Sequence, residues 1–162
     1  LDKRFIFFNS GFNLRPTEVS AAIGHNQFKR MDKLMKIRNI NRKKIINSLL
    51  NNSYLKNKID FYYENKFVNP SWFGLSVKIL IKNFNKNKII KKLENNGIET
   101  RPIISGNFAD QPAAKLYGIS LNQKFPNTDK VYNTSFFIGL PTKQINNKFL
   151  KKIVSAFEKS FS

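Results

Sequence analysis

The sequence predicts an α+β fold: two long helices that lead into a small body of mainly antiparallel strands, with helices on one face. Three observations predict it. Residues 17 to 50 hold no Pro, and their apolar residues fall in three- and four-residue steps, the period of a helix. After Asn51-Asn52 the pattern turns aromatic and β-branched, as in Phe61-Tyr62-Tyr63 and from Trp72 to Ile81, which reads as strands. The final segment carries Ile145, Phe149, Ile153, Phe157 and Phe161 at four-residue steps, one apolar stripe of a helix that packs on a sheet.

Phe5-Ile6-Phe7-Phe8 is an aromatic, strand-like run, and Asn9 to Pro16 is a polar turn containing Gly11. Thr17 offers a hydroxyl cap and Glu18 an acid in the first turn, so a helix starts there. Gly24, His25 and Asn26 weaken its middle, and the stretch is read as two helices, about 17–29 and 31–51. The second spans roughly 30 Å at 1.5 Å per residue, long enough to act as a strut between two bodies. Asn69-Pro70-Ser71 is a break before the second strand. Asn85 to Asn95 is a basic amphipathic helix with Ile89, Ile90 and Leu93 on one side, stopped by Asn96-Gly97. Ile98 to Ile104 reads as a strand. Ser105 to Lys124 reads as a long polar loop with a short helical piece near Ala113–Tyr117. Phe136 to Leu140 is another strand, and Thr142 opens the last helix. The α+β body runs from about 59 to 162, preceded by a lead-in of residues 1–58.

The composition excludes several classes of chemistry. The chain has 162 residues and no Cys, which removes a disulfide framework, a cysteine-held iron–sulfur site and a cysteine nucleophile from this segment. One His and ten acids speak against a zinc site, and no metal ligand is assigned. No apolar run approaches ~18 residues, so no membrane-spanning helix is expected. The start has no Met and does not read as a signal peptide, so a piece of a longer protein is expected. The formal charge of +19 points to a polyanion: nucleic acid, an acidic membrane or a phosphorylated substrate. It is carried by 23 Lys and only 6 Arg, beside 22 Asn and 18 Ile, all but Arg being residues of A/T-rich codons. Arg, the residue suited to bidentate phosphate recognition, is not enriched, so solvated helix faces of biased composition are the leading reading.

No nucleophile–base pair can be assembled. His25 lies in a helical pattern beside Gly24, the acids are scattered, and no phosphate-binding Gly-rich motif is present. No catalytic residue is assigned to this chain. Two loops stand out instead: Gly11 to Thr17, and Thr100-Arg101-Pro102-Ile103-Ile104-Ser105-Gly106-Asn107-Phe108. Both can present amide and guanidinium donors to an anion, and the first feeds a helix N-terminus. Ordinary turn chemistry uses the same residue types.

Those loops carry a resemblance. Gly11-Phe12-Asn13-Leu14-Arg15-Pro16-Thr17-Glu18-Val19-Ser20-Ala21-Ala22-Ile23-Gly24, followed by Gln27-Phe28-Lys29-Arg30-Met31-Asp32, resembles the G-Y-N-x-R-x-T stretch of the DegT/DnrJ/StrS family. These are pyridoxal-phosphate-dependent sugar aminotransferases with the α/β fold type I, aspartate aminotransferase-like. Asn69-Pro70-Ser71-Trp72-Phe73-Gly74, Gly97-Ile98-Glu99-Thr100-Arg101-Pro102, Gly106-Asn107-Phe108, Gln111-Pro112, Phe125-Pro126-Asn127-Thr128-Asp129 and Phe136-Phe137-Ile138-Gly139 extend it in the family's order.

The resemblance implies a C-terminal portion. Residues 1–58 would be the end of the large domain and the connecting helices, and 59–162 the small α+β domain. The Schiff-base lysine and most of the cofactor cup would lie upstream, leaving this chain inactive alone. It implies a homodimer with active sites shared across the interface, where Asn13 reaches the phosphate of the other subunit's cofactor. Arg15 is a further candidate for the phosphate of cofactor or sugar nucleotide. Phe12 stands where the family has Tyr, so that hydroxyl is missing. The W-F-G and T-R…G-N-F-x-x-Q-P patterns resemble the branch with the 4-keto-6-deoxyhexose 3-dehydratases, which use pyridoxamine phosphate. There Arg101 and Asn107 are expected to line the sugar site, with plain loop structure as the alternative. The expectation is therefore a cytoplasmic enzyme dependent on pyridoxal or pyridoxamine phosphate. It would aminate a nucleotide-linked keto-deoxysugar from glutamate in polysaccharide or deoxyaminosugar biosynthesis, without nucleic-acid or membrane partners. The alternative is the 3-dehydratase, and a distant one is a basic nucleic-acid-binding module.

Overall fold

A computed structural model of the chain describes residues 3–11, 14–118 and 124–162. Helix α1 spans Glu18–Phe28, and the Thr17 side chain caps it by accepting the Ser20 amide at 3.3 Å. Helix α2 spans Met31–Leu50, and the break between the two falls at Lys29-Arg30, where the reading of 17–29 and 31–51 expects it. No residue of α1 is buried, whereas the second half of α2 buries Asn41, Arg42, Ile45, Ile46 and Leu49. Steps of three and four place those side chains on one face.

Four strands follow with their helices between them: β1 (Ile59–Phe61), β2 (Gly74–Ile79), α3 (Lys86–Asn95), β3 (Thr100–Arg101), α4 (Pro112–Leu116), α5 (Pro126–Thr134), β4 (Ser135–Gly139) and α6 (Asn147–Ser160). The sheet order is β1-β2-β4-β3, and every neighbouring pair is antiparallel. Both β2 and β3 oppose β4, so they run parallel to each other with β4 between them. The unit β2-α3-β3 is thus a split β-α-β crossover. Register pairs Leu75 with Ile138 and Val77 with Phe136, which puts alternate residues on one face. That face meets Ile45 and Leu49 of α2, Ile89 and Leu93 of α3, and Ile153 and Phe157 of α6 in one buried cluster. Each such side chain removed from water contributes about 1.5–3 kcal/mol. The other face of β4 is covered as well. Ser135 bonds the Tyr62 hydroxyl at 2.9 Å, and Phe73 packs edge-on to Phe137 at 5.5 Å.

Asn side chains set the helix starts. Asn85 accepts the Lys88 amide at 3.0 Å, and Asn146 accepts the Phe149 amide at 2.9 Å. The last helix therefore begins after Asn146, not at Thr142. Asn41 explains the delay. It donates to the carbonyls of Pro141 and Lys143 and accepts the Ile145 amide, fixing that segment as a buried connection. Ile145 is buried ahead of the helix, and Phe149 is exposed.

Three further expectations are corrected. Phe5-Ile6-Phe7-Phe8 forms no strand: a 3₁₀ turn covers Lys3–Phe5, and the residues after it bond to loop groups rather than to a sheet. The strand expected over Ile98 to Ile104 pairs only at Thr100–Arg101, because Pro102 has no N–H to continue the ladder. Helix α5, not foreseen, starts on Pro126 at its first turn and runs straight into β4.

Candidate functional site

The second loop is built on strain and anchors. Ile104 has φ of 25° and Gly106 φ of 63°, both in the left-handed half of backbone space. A β-branched residue there is costly and needs surrounding structure to hold it. Three anchors do so. Gln111, 1% exposed, donates from Nε2 to the Ser105 carbonyl at 2.9 Å. The Tyr132 ring packs under Gly106, only 2.6 Å from where a Cβ would stand. Asn107 donates to Asp129 Oδ1 at 3.1 Å and accepts the Ala109 amide at 3.2 Å.

Arg101 precedes this loop on β3. Its guanidinium pairs with Glu99 at 3.1 Å, and both side chains are exposed. Such a pair is worth at most about 1 kcal/mol, so Arg101 can exchange its carboxylate for another anion at little cost. It borders a cleft of about 490 Å³ lined by Phe73, Phe137, Leu140 and Phe149 among others. Arg101 and Asn107 are thus brought onto one loop. Asn107 has both ends of its amide engaged within that loop and with Asp129.

The first loop is joined to the second by residues 4 to 10. Arg4 Nη1 donates to the Thr100 carbonyl at 3.0 Å. Phe7 donates its amide to Gln111 Oε1 at 3.0 Å and accepts the Ala113 amide at 2.7 Å. Gln111 Nε2 also donates to the Phe5 carbonyl at 3.0 Å. The Tyr117 hydroxyl meets Asn9 Oδ1 and, at 2.6 Å, the Ser10 hydroxyl. The hydroxyl and amide of Ser10 hold the Tyr117 phenol below its usual value. This arm leads to Gly11. Asn13 lies outside the described residues. Arg15 is exposed just ahead of α1 and makes no ion pair or hydrogen bond with another described residue.

Sequence reasoning missed the residues that hold these loops. Gln111 was legible only as part of a motif. Arg42 gave no signal, since it sits among the surface-like basic residues of α2. It is 4% exposed, donates to the Tyr62 carbonyl at 2.7 Å, pairs with Glu64 at 3.2 Å and lies 4.2 Å from the centre of the Trp72 ring. It thereby straps the connection between β1 and β2, which carries Asn69 to Phe73, onto the helix. His25 lies exposed on α1.

The chemistry of the donor set fits a phosphate edge. Arg15 stands beside the amino end of α1, where backbone N–H groups and the helix dipole favour an anion. Every described lysine is at least partly exposed, so no buried lysine is found among the described residues.

Comparison with known proteins gives one family and a consistent set of relatives. The family model described as the DegT/DnrJ/EryC1/StrS aminotransferase family matches residues 2–158. The chain is 27% identical over 142 residues to GDP-4-keto-6-deoxy-D-mannose 3-dehydratase of Escherichia coli O55:H7, covering 85% of this chain and 34% of that protein. It is 27% identical over 168 residues to the lipopolysaccharide biosynthesis protein RfbH of Salmonella typhimurium, covering 99% of this chain and 36% of that protein. Among solved structures, the E. coli GDP-4-keto-6-deoxy-D-mannose-3-dehydratase with bound hydrated PLP superposes with a TM-score of 0.73 at 23% identity, over 96% of this chain and 39% of the other. The aminotransferase from Psychrobacter cryohalolentis superposes with a TM-score of 0.75 at 20% identity, over 93% and 40%. The chain spans little more than a third of the length of the curated relatives it matches.

Proposed function

We propose a function from one premise: the chain belongs to the DegT/DnrJ/EryC1/StrS aminotransferase family. It is the C-terminal portion of an enzyme dependent on pyridoxal or pyridoxamine phosphate that acts on a nucleotide-linked keto-deoxysugar. The observation that carries this reading is a family match that runs through both motif loops in order. Residues 1–58 complete a large domain and connect it to the small domain of 59–162. When bound, the cofactor supplies the electron sink and carries the amino group. This chain's part is to bind and orient. Asn13 and Arg15 hold the cofactor phosphate across a homodimer interface. Arg101 exchanges Glu99 for the anionic end of the sugar nucleotide, and Asn107 keeps the loop in place beside the sugar. The Schiff-base position lies outside these residues, so the isolated chain is inactive. The whole enzyme is cytoplasmic and takes its amino group from glutamate for polysaccharide or deoxyaminosugar biosynthesis.

A second reading is favoured by the relatives named as 3-dehydratases. In it the same fold and loops serve loss of the 3-hydroxyl instead of amination. Incubating the whole protein with cofactor, glutamate and a nucleotide-linked 4-keto-6-deoxyhexose separates the two: an amino sugar identifies the transferase, and a 3-deoxy sugar the dehydratase. No turnover of any such sugar refutes both. In the same protein, Asn13→Ala is expected to weaken cofactor binding by roughly 1–3 kcal/mol, the value of a hydrogen bond to a charged group. A titration that finds unchanged affinity removes Asn13 from the site.

A further inference from the structure

We propose that Gln111 is a positioning residue that ties the near end of the cofactor-side arm, at Phe5 and Phe7, to the substrate-side loop as one unit. The inference rests on the functional reading above for what the two loops touch, and on geometry for the lock itself.

The amide of Gln111 uses both donors and one acceptor position of its oxygen. Its two N–H donors go to the carbonyls of Phe5 at 3.0 Å and Ser105 at 2.9 Å, and its oxygen accepts the Phe7 amide at 3.0 Å. The surroundings admit only one orientation of the amide, because two carbonyls face the nitrogen and an N–H faces the oxygen. The group is 1% exposed, and a buried amide in a low-dielectric site is costly to leave unpaired. Phe5 and Phe7 belong to the arm that ends at Gly11, ahead of Asn13 and Arg15 in the sequence. Ser105 sits between strained Ile104 and Gly106, in the loop that carries Arg101 and Asn107. The arm therefore adds no strand to the sheet. One side chain takes the place of a ladder and reads the arm on one side and the loop on the other.

The distal end of the arm has a separate fastening. Tyr117, which is exposed, holds Asn9 and Ser10. Loss of that hydroxyl frees the arm near Gly11 and leaves the Ser105 bond intact. The two fastenings thus have different expected signatures.

The test uses the whole dimeric enzyme carrying Gln111→Met, of similar length without the amide, and Tyr117→Phe, which opens no core cavity. In Gln111→Met, amide hydrogen exchange is expected to rise together at residues 4–8 and 103–107. The dissociation constant for pyridoxal phosphate and the KM for the sugar nucleotide are expected to rise together, each about tenfold or more, the scale of a displaced positioning group. In Tyr117→Phe only the arm and the cofactor constant are expected to respond. Exchange that rises on one side of Gln111 alone overturns the proposal, as does a loss of melting temperature with both constants unchanged. If Gln111→Met does not fold, Tyr117→Phe decides: a raised cofactor dissociation constant with an unchanged sugar KM supports the two-fastening scheme, and a rise in KM equal to the rise in that dissociation constant overturns it. A parent enzyme that binds no pyridoxal phosphate refutes the functional reading instead, and the exchange pattern still tests the lock.

Discussion

Gly106 stands at φ 63° with the Tyr132 ring 2.6 Å from where its Cβ would be. Alanine there meets both the left-handed penalty and a ring that must shift, so Gly106→Ala is expected to lower stability by about 2–4 kcal/mol. Urea unfolding with an unchanged slope and a lower midpoint is the expected record. Tyr117 gives a second prediction at this scale. Ser10 stabilises its phenolate, so a spectroscopic titration is expected to find Tyr117 ionising below the ordinary tyrosine range. Ser10→Ala is expected to return it upward. Neither environment was legible from sequence. Gly106 could be named as a turn residue, but the ring beneath it comes from Tyr132, on an element that periodicity did not announce. Asn107 was picked out for a sugar, and the contacts it makes are with Ala109 and Asp129.

The elements were legible where local chemistry decides them. Thr17 and Asn85 cap the helices that composition placed after them. Signals failed where a distant group decides. Thr142 looks like a helix cap, yet Asn41 from α2 holds residues 141 to 145 and moves the start to Asn147. Asn146→Ala is accordingly expected to destabilise by about 1 kcal/mol, the usual worth of an N-cap, while Thr142→Ala changes little. Thermal melts of the two variants compare them directly. The Arg42 strap makes an asymmetric prediction. Glu64 is well exposed, so Glu64→Gln is expected to cost less than about 1 kcal/mol. Arg42→Ala removes a buried stem, a carbonyl bond and the contact with Trp72, and is expected to cost about 2–4 kcal/mol.

For the molecule as a whole, antiparallel strands under a helical layer followed from pattern alone, because Leu75, Val77, Phe136, Ile153 and Phe157 announce the core at their proper periods. Phe157→Ala is expected to cost about 3–5 kcal/mol, read as a loss of most of the folded signal on denaturant titration. The sheet order was not legible. Nothing local says that β4 inserts between β2 and β3. The arm was read as a strand for the same reason: its partner is a side chain far along the chain. That distance has a consequence for how the protein is made. Phe7 precedes Gln111 by 104 positions, which at ribosomal speed is a wait of about 5–20 s. The arm thus emerges first and is fastened late, and through that interval Phe5, Phe7 and Phe8 stand outside the tunnel without the anchor they will later share.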